Sequence, residues 1–139
     1  MIQQGQCTVF KTNLLSGLEN FAVGTPYTYK IALYTALADL SYATTAYTTV
    51  GEITGTGYTA GGKVLTVIPP VSSGQTAFVS FYAVTWSPAS FTCRGALIYN
   101  STTNAAVAVL DFGADKTPTS TFTITFPTAD AANAIIRFS

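Results

Sequence analysis

Histidine is absent from this 139-residue chain. Its absence removes the side chain used most often as a general base near neutral pH, and the commonest metal ligand. Charge is scarce too: six basic and six acidic residues make up 9% of the chain, against about 25% in an average globular protein. These charges cancel to zero and are scattered. No basic stripe exists to track a phosphate backbone, so nucleic acid is not expected as a partner. The two cysteines, Cys7 and Cys93, have neither metal-ligand spacing nor a disulfide framework. They read as reduced packing residues of a protein made in a cytoplasm, and the opening MIQQGQCTVFK lacks the pattern of a secretory leader. No apolar run approaches the roughly 18 residues that span a bilayer, so no membrane association is expected.

What the chain does contain is apolar and β-forming. Hydrophobic residues make up 48% of it, and the mean hydropathy is +0.37. With charge this sparse, part of the apolar surface is expected to be covered by other subunits. About two dozen threonines suit strand faces turned to water or to another protein. The length fits one domain, residues 1–139, burying roughly two-thirds of its unfolded surface.

Residues 8–21, TVFKTNLLSGLENF, are the one helix candidate, with Phe10, Leu14, Leu18 and Phe21 recurring on one face. Gly17 is expected to weaken its centre by about 1 kcal/mol. Residues 1–25 are read as an N-terminal arm plus this helix, whose stripe must dock on the sheet or on a partner.

The rest alternates as strands between turn signals. Tyr27 to Leu37 reads as a half-buried strand, Lys63 to Ile68 as a short one, and Ala77 to Trp86 as a long central one. Pro69-Pro70 is expected to break the chain. Thr121 to Phe126 and Ala134 to Phe138 close it as strands. Between them lies the hairpin Phe91 to Gly113, apolar on both faces, with its loop at Ser101 to Asn104. Counting back from Asn100 opposite Ala105 pairs Ile98 with Val107, Ala96 with Val109 and Arg94 with Asp111. That last opposite-charge pair is expected to fix the register. Seven or eight strands with one N-terminal helix point to an all-β fold, a jelly-roll-like two-sheet β-sandwich.

Little in the sequence carries chemistry. Gly57, Gly61 and Gly62 sit in GEITGTGYTAGG, but Ala60 stands where the last glycine of a dinucleotide loop would fall. No Walker lysine-serine ending follows either. The glycines are therefore read as bends, as are Gly51 and Gly55. Asp111, Asp115 and Glu52 could be paired carboxylates, or Asp111 to Asp115 a calcium loop. The first is set aside because Asp111 already has an arginine partner, the second because the loop is poor in acid. No serine lies in a nucleophile-elbow context. No enzyme activity, metal or cofactor is expected. Glu52, Arg94, Asp111, Gly57, Gly61 and Gly62 are taken as structural residues. Phe10, Leu14, Leu18, Tyr34 and Tyr58 are the candidate interface residues.

Several segments together, GEITGTGYTAGG, RGALIYN and VLDFG in that order, within a pattern running from YKIALYTA to FPTADAANAIIRFS, resemble a family of small virion proteins of tailed bacteriophages. The resemblance covers nearly the whole chain. Glu52, Arg94 and Asp111 match charged positions of that pattern, with Cys93 in a variable slot. The family includes capsid cement, or decoration, proteins with a jelly-roll β-sandwich. The resemblance therefore implies a homo-oligomer, dimer or trimer, bound to the phage major capsid protein on the capsid exterior, and it brings no catalytic or ligand residue. The competing readings are a tail or fibre component, a glycan-binding module built on the tyrosines, and a small hydrolase.

Overall fold

In the computed structural model, which describes residues 1–139, the chain forms β1 (Gly5–Gln6), α1 (Thr8–Leu15), β2 (Tyr29–Tyr34), β3 (Lys63–Val64), β4 (Val67–Ser73), β5 (Thr76–Phe81), β6 (Val84–Trp86), β7 (Cys93–Asn100), β8 (Ala105–Lys116), β9 (Phe122–Ile124) and β10 (Ile136–Phe138). Every sheet is antiparallel: a five-stranded sheet in the order β1-β8-β7-β2-β3, a three-stranded one ordered β10-β5-β4, and the pair β6-β9. The fold is all-β with one short helix.

The centre of the five-stranded sheet follows from composition. β2 and β7 carry apolar residues at odd and even positions alike, so neither face can be left in water. All their residues are buried except Lys30 and Arg94, which are half-buried. The alternation of β2 predicts burial on one face only; its residues are buried on both faces, within the common core cluster. A single cluster of 31 buried residues, running in sequence from Ile2 to Ile136, joins the three sheets. Phe21 is one of the joints. Its ring stacks on Tyr29 of the five-stranded sheet at 4.5 Å and meets Phe81 of the three-stranded sheet at 6.2 Å.

The helix is shorter than its apolar spacing suggests. It ends at Leu15, and Gly17 takes φ 76°, so the Leu18 and Gly17 N–H groups donate back to the Asn13 and Leu14 carbonyls. That is a Schellman stop, so Gly17 terminates the helix instead of weakening its centre. The helix lies against β8. Phe10 is fully buried, Leu14 half-buried, and Leu18 is 52% exposed. The stripe is thus divided between core and solvent.

The hairpin keeps its expected loop, with Asn104 at φ 69° and the Asn100 side chain accepting the Thr102 and Thr103 N–H groups. Its register differs. Asn100 faces Ala105 and Tyr99 faces Ala106, but a bulge at Val107 then puts Ile98 opposite Ala108, Ala96 opposite Leu110 and Gly95 opposite Asp111. The Val107 carbonyl turns to the N-terminal segment and accepts the Cys7 N–H at 2.9 Å. Bulges of this kind add one residue to one strand and are set by what lies beside it. Arg94 still reaches Asp111, Nε to Oδ1 3.1 Å, although the pair is no longer directly opposite. The ion pair survives a one-residue slip and so does not fix the register.

Two further expectations fail for geometric reasons. Ala77 to Trp86 is not one strand: the chain leaves the three-stranded sheet at exposed Tyr82, and β6 pairs elsewhere. Pro69-Pro70 does not end a strand but lies within β4, where the register with β5 shifts between Ile68 and Val71. β4 is an edge strand, and proline, which has no N–H to donate, is tolerated at such an edge bulge.

Gly62 shows how closely the loops lie on the sheet. It has φ 79°, and a β-carbon there would stand 1.8 Å from the Ile31 carbonyl oxygen. Gly74, at φ 61°, has nothing within 4 Å of that position. Gly62→Ala should therefore cost at least about 4 kcal/mol, from combined backbone strain and overlap, and Gly74→Ala only about 1–2 kcal/mol. Urea denaturation of both variants at unchanged m-value measures the difference; equal midpoints would refute the close approach.

Candidate functional site

Glu52 lies in the segment between β2 and β3 and bridges back to Tyr34. Its Oε1 accepts the Tyr47 hydroxyl at 2.5 Å. Its Oε2 accepts the Tyr58 hydroxyl at 2.5 Å and the Gly61 N–H at 2.8 Å. The Tyr58 oxygen in turn accepts the Leu33 N–H at 3.0 Å. The Tyr99 hydroxyl donates to the Gly61 carbonyl at 2.6 Å, and its ring stacks on Tyr47 at 4.7 Å. Tyr34 donates to the Thr48 carbonyl at 2.6 Å. Burial first, and then the Glu52 carboxylate, push the Tyr58 and Tyr47 hydroxyls well above their ordinary values. Both therefore stay protonated donors, and three donors converge on one carboxylate. The arrangement ties the long β2–β3 connection to the central strands.

The glycines serve the same connection. Gly57 lies so close to Pro88 that a β-carbon would stand 1.8 Å from its carbonyl oxygen, as Gly62 does to Ile31. Gly61 supplies both an N–H to Glu52 and a carbonyl to Tyr99. These backbone groups point into the chain's own bonds.

Arg94 and Asp111 form the second charged feature. Asp111 Oδ1 accepts the Gly113 N–H at 2.9 Å as well as Arg94 Nε at 3.1 Å. These two contacts, the Gly113 one first, hold its carboxyl below the usual carboxylate value. No group of three His, Cys, Asp or Glu side chains comes together to hold a metal ion. Cys7 and Cys93 are buried and unpaired, and burial pushes their thiols up to about 11 and about 12.

The candidate interface residues separate once burial is known. Phe10 and Tyr34 are fully buried within this chain and face no partner, which corrects their assignment. Leu14 and Tyr58 are half-buried against the core, and Tyr58 is engaged by Glu52. Leu18 alone of the five is exposed.

Sequence reasoning missed a buried acid. Glu19 is only 6% exposed, and its Oε2 accepts the Tyr29 hydroxyl at 2.7 Å and Asn100 Nδ2 at 3.2 Å, while Oε1 is buried without a partner. Burial raises its pKa from the ordinary 4.5, against the opposing pull of its two donors. Nothing in the local pattern marks it, because its partners lie 10 and 81 residues away.

Also unforeseen is a groove of about 570 Å³ between the outer edge of β1 and β8 and that of β9, floored by half-buried Leu110, Phe112 and Phe122.

Two substitutions test these networks. Glu52→Gln leaves one converging donor facing an amide N–H and should cost about 2–3 kcal/mol of unfolding free energy. Glu19 gives a pH dependence of definite sign. Its folded-state pKa is raised, so the folded state holds the proton more tightly and stability falls as pH rises from about 4.5 through the folded value. Asp111, with a lowered pKa, works the other way: its contribution is present above its ordinary 3.8 and is lost as pH falls through the folded value. Denaturation midpoints of Glu19→Gln across pH should lack the fall that the parent chain shows above 4.5. An unchanged profile would remove Glu19 as its source.

Compared with protein-family models, with curated proteins and with solved structures, the chain matches none of them.

Proposed function

We propose that the protein is a structural virion component, a capsid cement or decoration protein that binds the major capsid protein shell of a tailed phage as a homo-oligomer. In this reading its sheets form a jelly-roll-like two-sheet sandwich. The observation that carries the reading, beside the sequence resemblance, is the surface. Leu37 is 92% exposed, Leu15 90%, Val23 84% and Val50 75%, on a chain with twelve charged residues. A free monomer gains nothing from leaving such side chains in water; an assembly gains by covering them. Glu52, Arg94 and Asp111 agree with a building role, since each is bound within the fold.

A cement protein adds stability to a shell by mass action, to the extent that it prefers the mature lattice. Quantitative mass spectrometry of purified particles should give on the order of hundreds of copies per head, one set per lattice joint. A count near a dozen would move the protein to the tail, and its absence from particles would end the virion reading. Leu37→Asp, at a 92% exposed position, should leave the unfolding midpoint within about 0.5 kcal/mol of the parent yet reduce binding to empty shells.

A further inference from the structure

The groove beside β1 has an unusual wall: backbone. Cys7 donates its N–H to Val107, and Gly5 pairs with Val109 in the β1–β8 ladder, so residues 5 and 7 face β8. Strand geometry repeats every two residues, which turns the N–H and C=O of Gln6 away from β8, and Gln6 lines the groove. Gln6 N–H makes no bond outside that ladder. One step further along β8, the Asp111 N–H is bonded by the Gln4 side-chain oxygen at 3.2 Å, where a neighbouring strand would otherwise bond it. Across the groove, β9 has β6 as its one neighbour, so alternate backbone groups of Phe122–Ile124 also face outward. Two open sheet edges therefore border one apolar floor.

We propose that this groove is a strand-addition site that takes an extended segment of a partner protein, apolar at alternate positions and acidic at one end. Main-chain bonds to Gln6 and to β9 supply the affinity, and the floor selects side chains that point down. Charge sets the end preference. Of the charged residues lining the groove, Asp111 is neutralised by Arg94 at 3.1 Å, whereas Lys116 takes part in neither of the protein's ion pairs. An acidic residue at that end meets an uncompensated positive charge. This chain's own terminal segments form walls of the groove, through Gln4–Gln6 and Asn133–Ile135, and so do not fill it. The unpaired Lys116 marks the occupant as a partner segment with an acidic end. The inference stands independently of the virion reading.

The probe is an acetylated, amidated peptide of alternating valine and threonine with a terminal glutamate, titrated into the full chain. Binding should slow hydrogen exchange at the Gln6 amide. N-methylation of alternate peptide amides should weaken binding about tenfold or more. Lys116→Glu, at an exposed position, should weaken the glutamate-ended peptide and favour a lysine-ended one. No binding up to about 1 mM overturns the proposal. So does equal binding of the N-methylated peptide, which would leave only an apolar slot. Concentration-dependent self-association that protects the Gln6 amide without peptide also overturns it, because the occupant would then be a second copy.

Discussion

The constraint on which the structure depends is that β2 and β7 are apolar on both faces. A sheet with such strands at its centre has no side to give to water, and the remaining elements are placed by the need to cover it. The helix lies against β8, Phe21 wedges between Tyr29 and Phe81, and residues from all three sheets join one continuous cluster. Even the approach of the loops follows, because segments packed onto a flat apolar surface come within backbone contact of it. Gly62, against the Ile31 carbonyl of β2, is the position where that contact leaves no room for a side chain; Gly57 meets the Pro88 loop in the same way.

Covering a sheet so completely brings polar atoms inside, and tyrosine hydroxyls bond several of them. Tyrosine adds a large apolar ring and a single hydroxyl that can reach a distant acceptor. Tyr47 and Tyr58 converge on Glu52, Tyr99 on Gly61, Tyr34 on Thr48 and Tyr29 on Glu19. The two glutamates differ in outcome. Glu52 is half-buried and has both oxygens bonded, whereas Glu19 is buried with Oε1 unpartnered. The first ties a long connection down; the second leaves a cost inside the core that depends on protonation.

What is left outside is as telling as what is covered. Leu15, Val23, Leu37 and Val50 stay in water, while β1 and β9 keep open edges on a shared groove. Natural sheets usually blunt their edges, as β4 does with its two prolines. Together, the exposed apolar side chains and the unblunted edges describe a surface suited to assembly.

The all-β class, the single helix near the N-terminus and the four-residue hairpin loop were legible in the sequence because they rest on local periodicity and turn chemistry. So was the Arg94–Asp111 contact, since two long or flexible side chains tolerate a small error in register. The bulge at Val107 was not legible: it depends on Cys7, a hundred residues earlier in the chain, bonding the Val107 carbonyl. The sorting of the apolar stripe was equally hidden, since Phe10 and Leu18 look alike in sequence and differ only in what packs on them. The same holds for Glu19, whose partners Tyr29 and Asn100 come from two different strands, and for the groove, which β1, β8 and β9 line together. The partners of Glu52 are nearer, in its own β2–β3 connection. Local pattern by itself determined which segments could be strand, helix or turn, because those preferences are short-ranged. Register, burial and the meeting of open edges were decided by tertiary structure, because each depends on atoms brought together from distant parts of the chain.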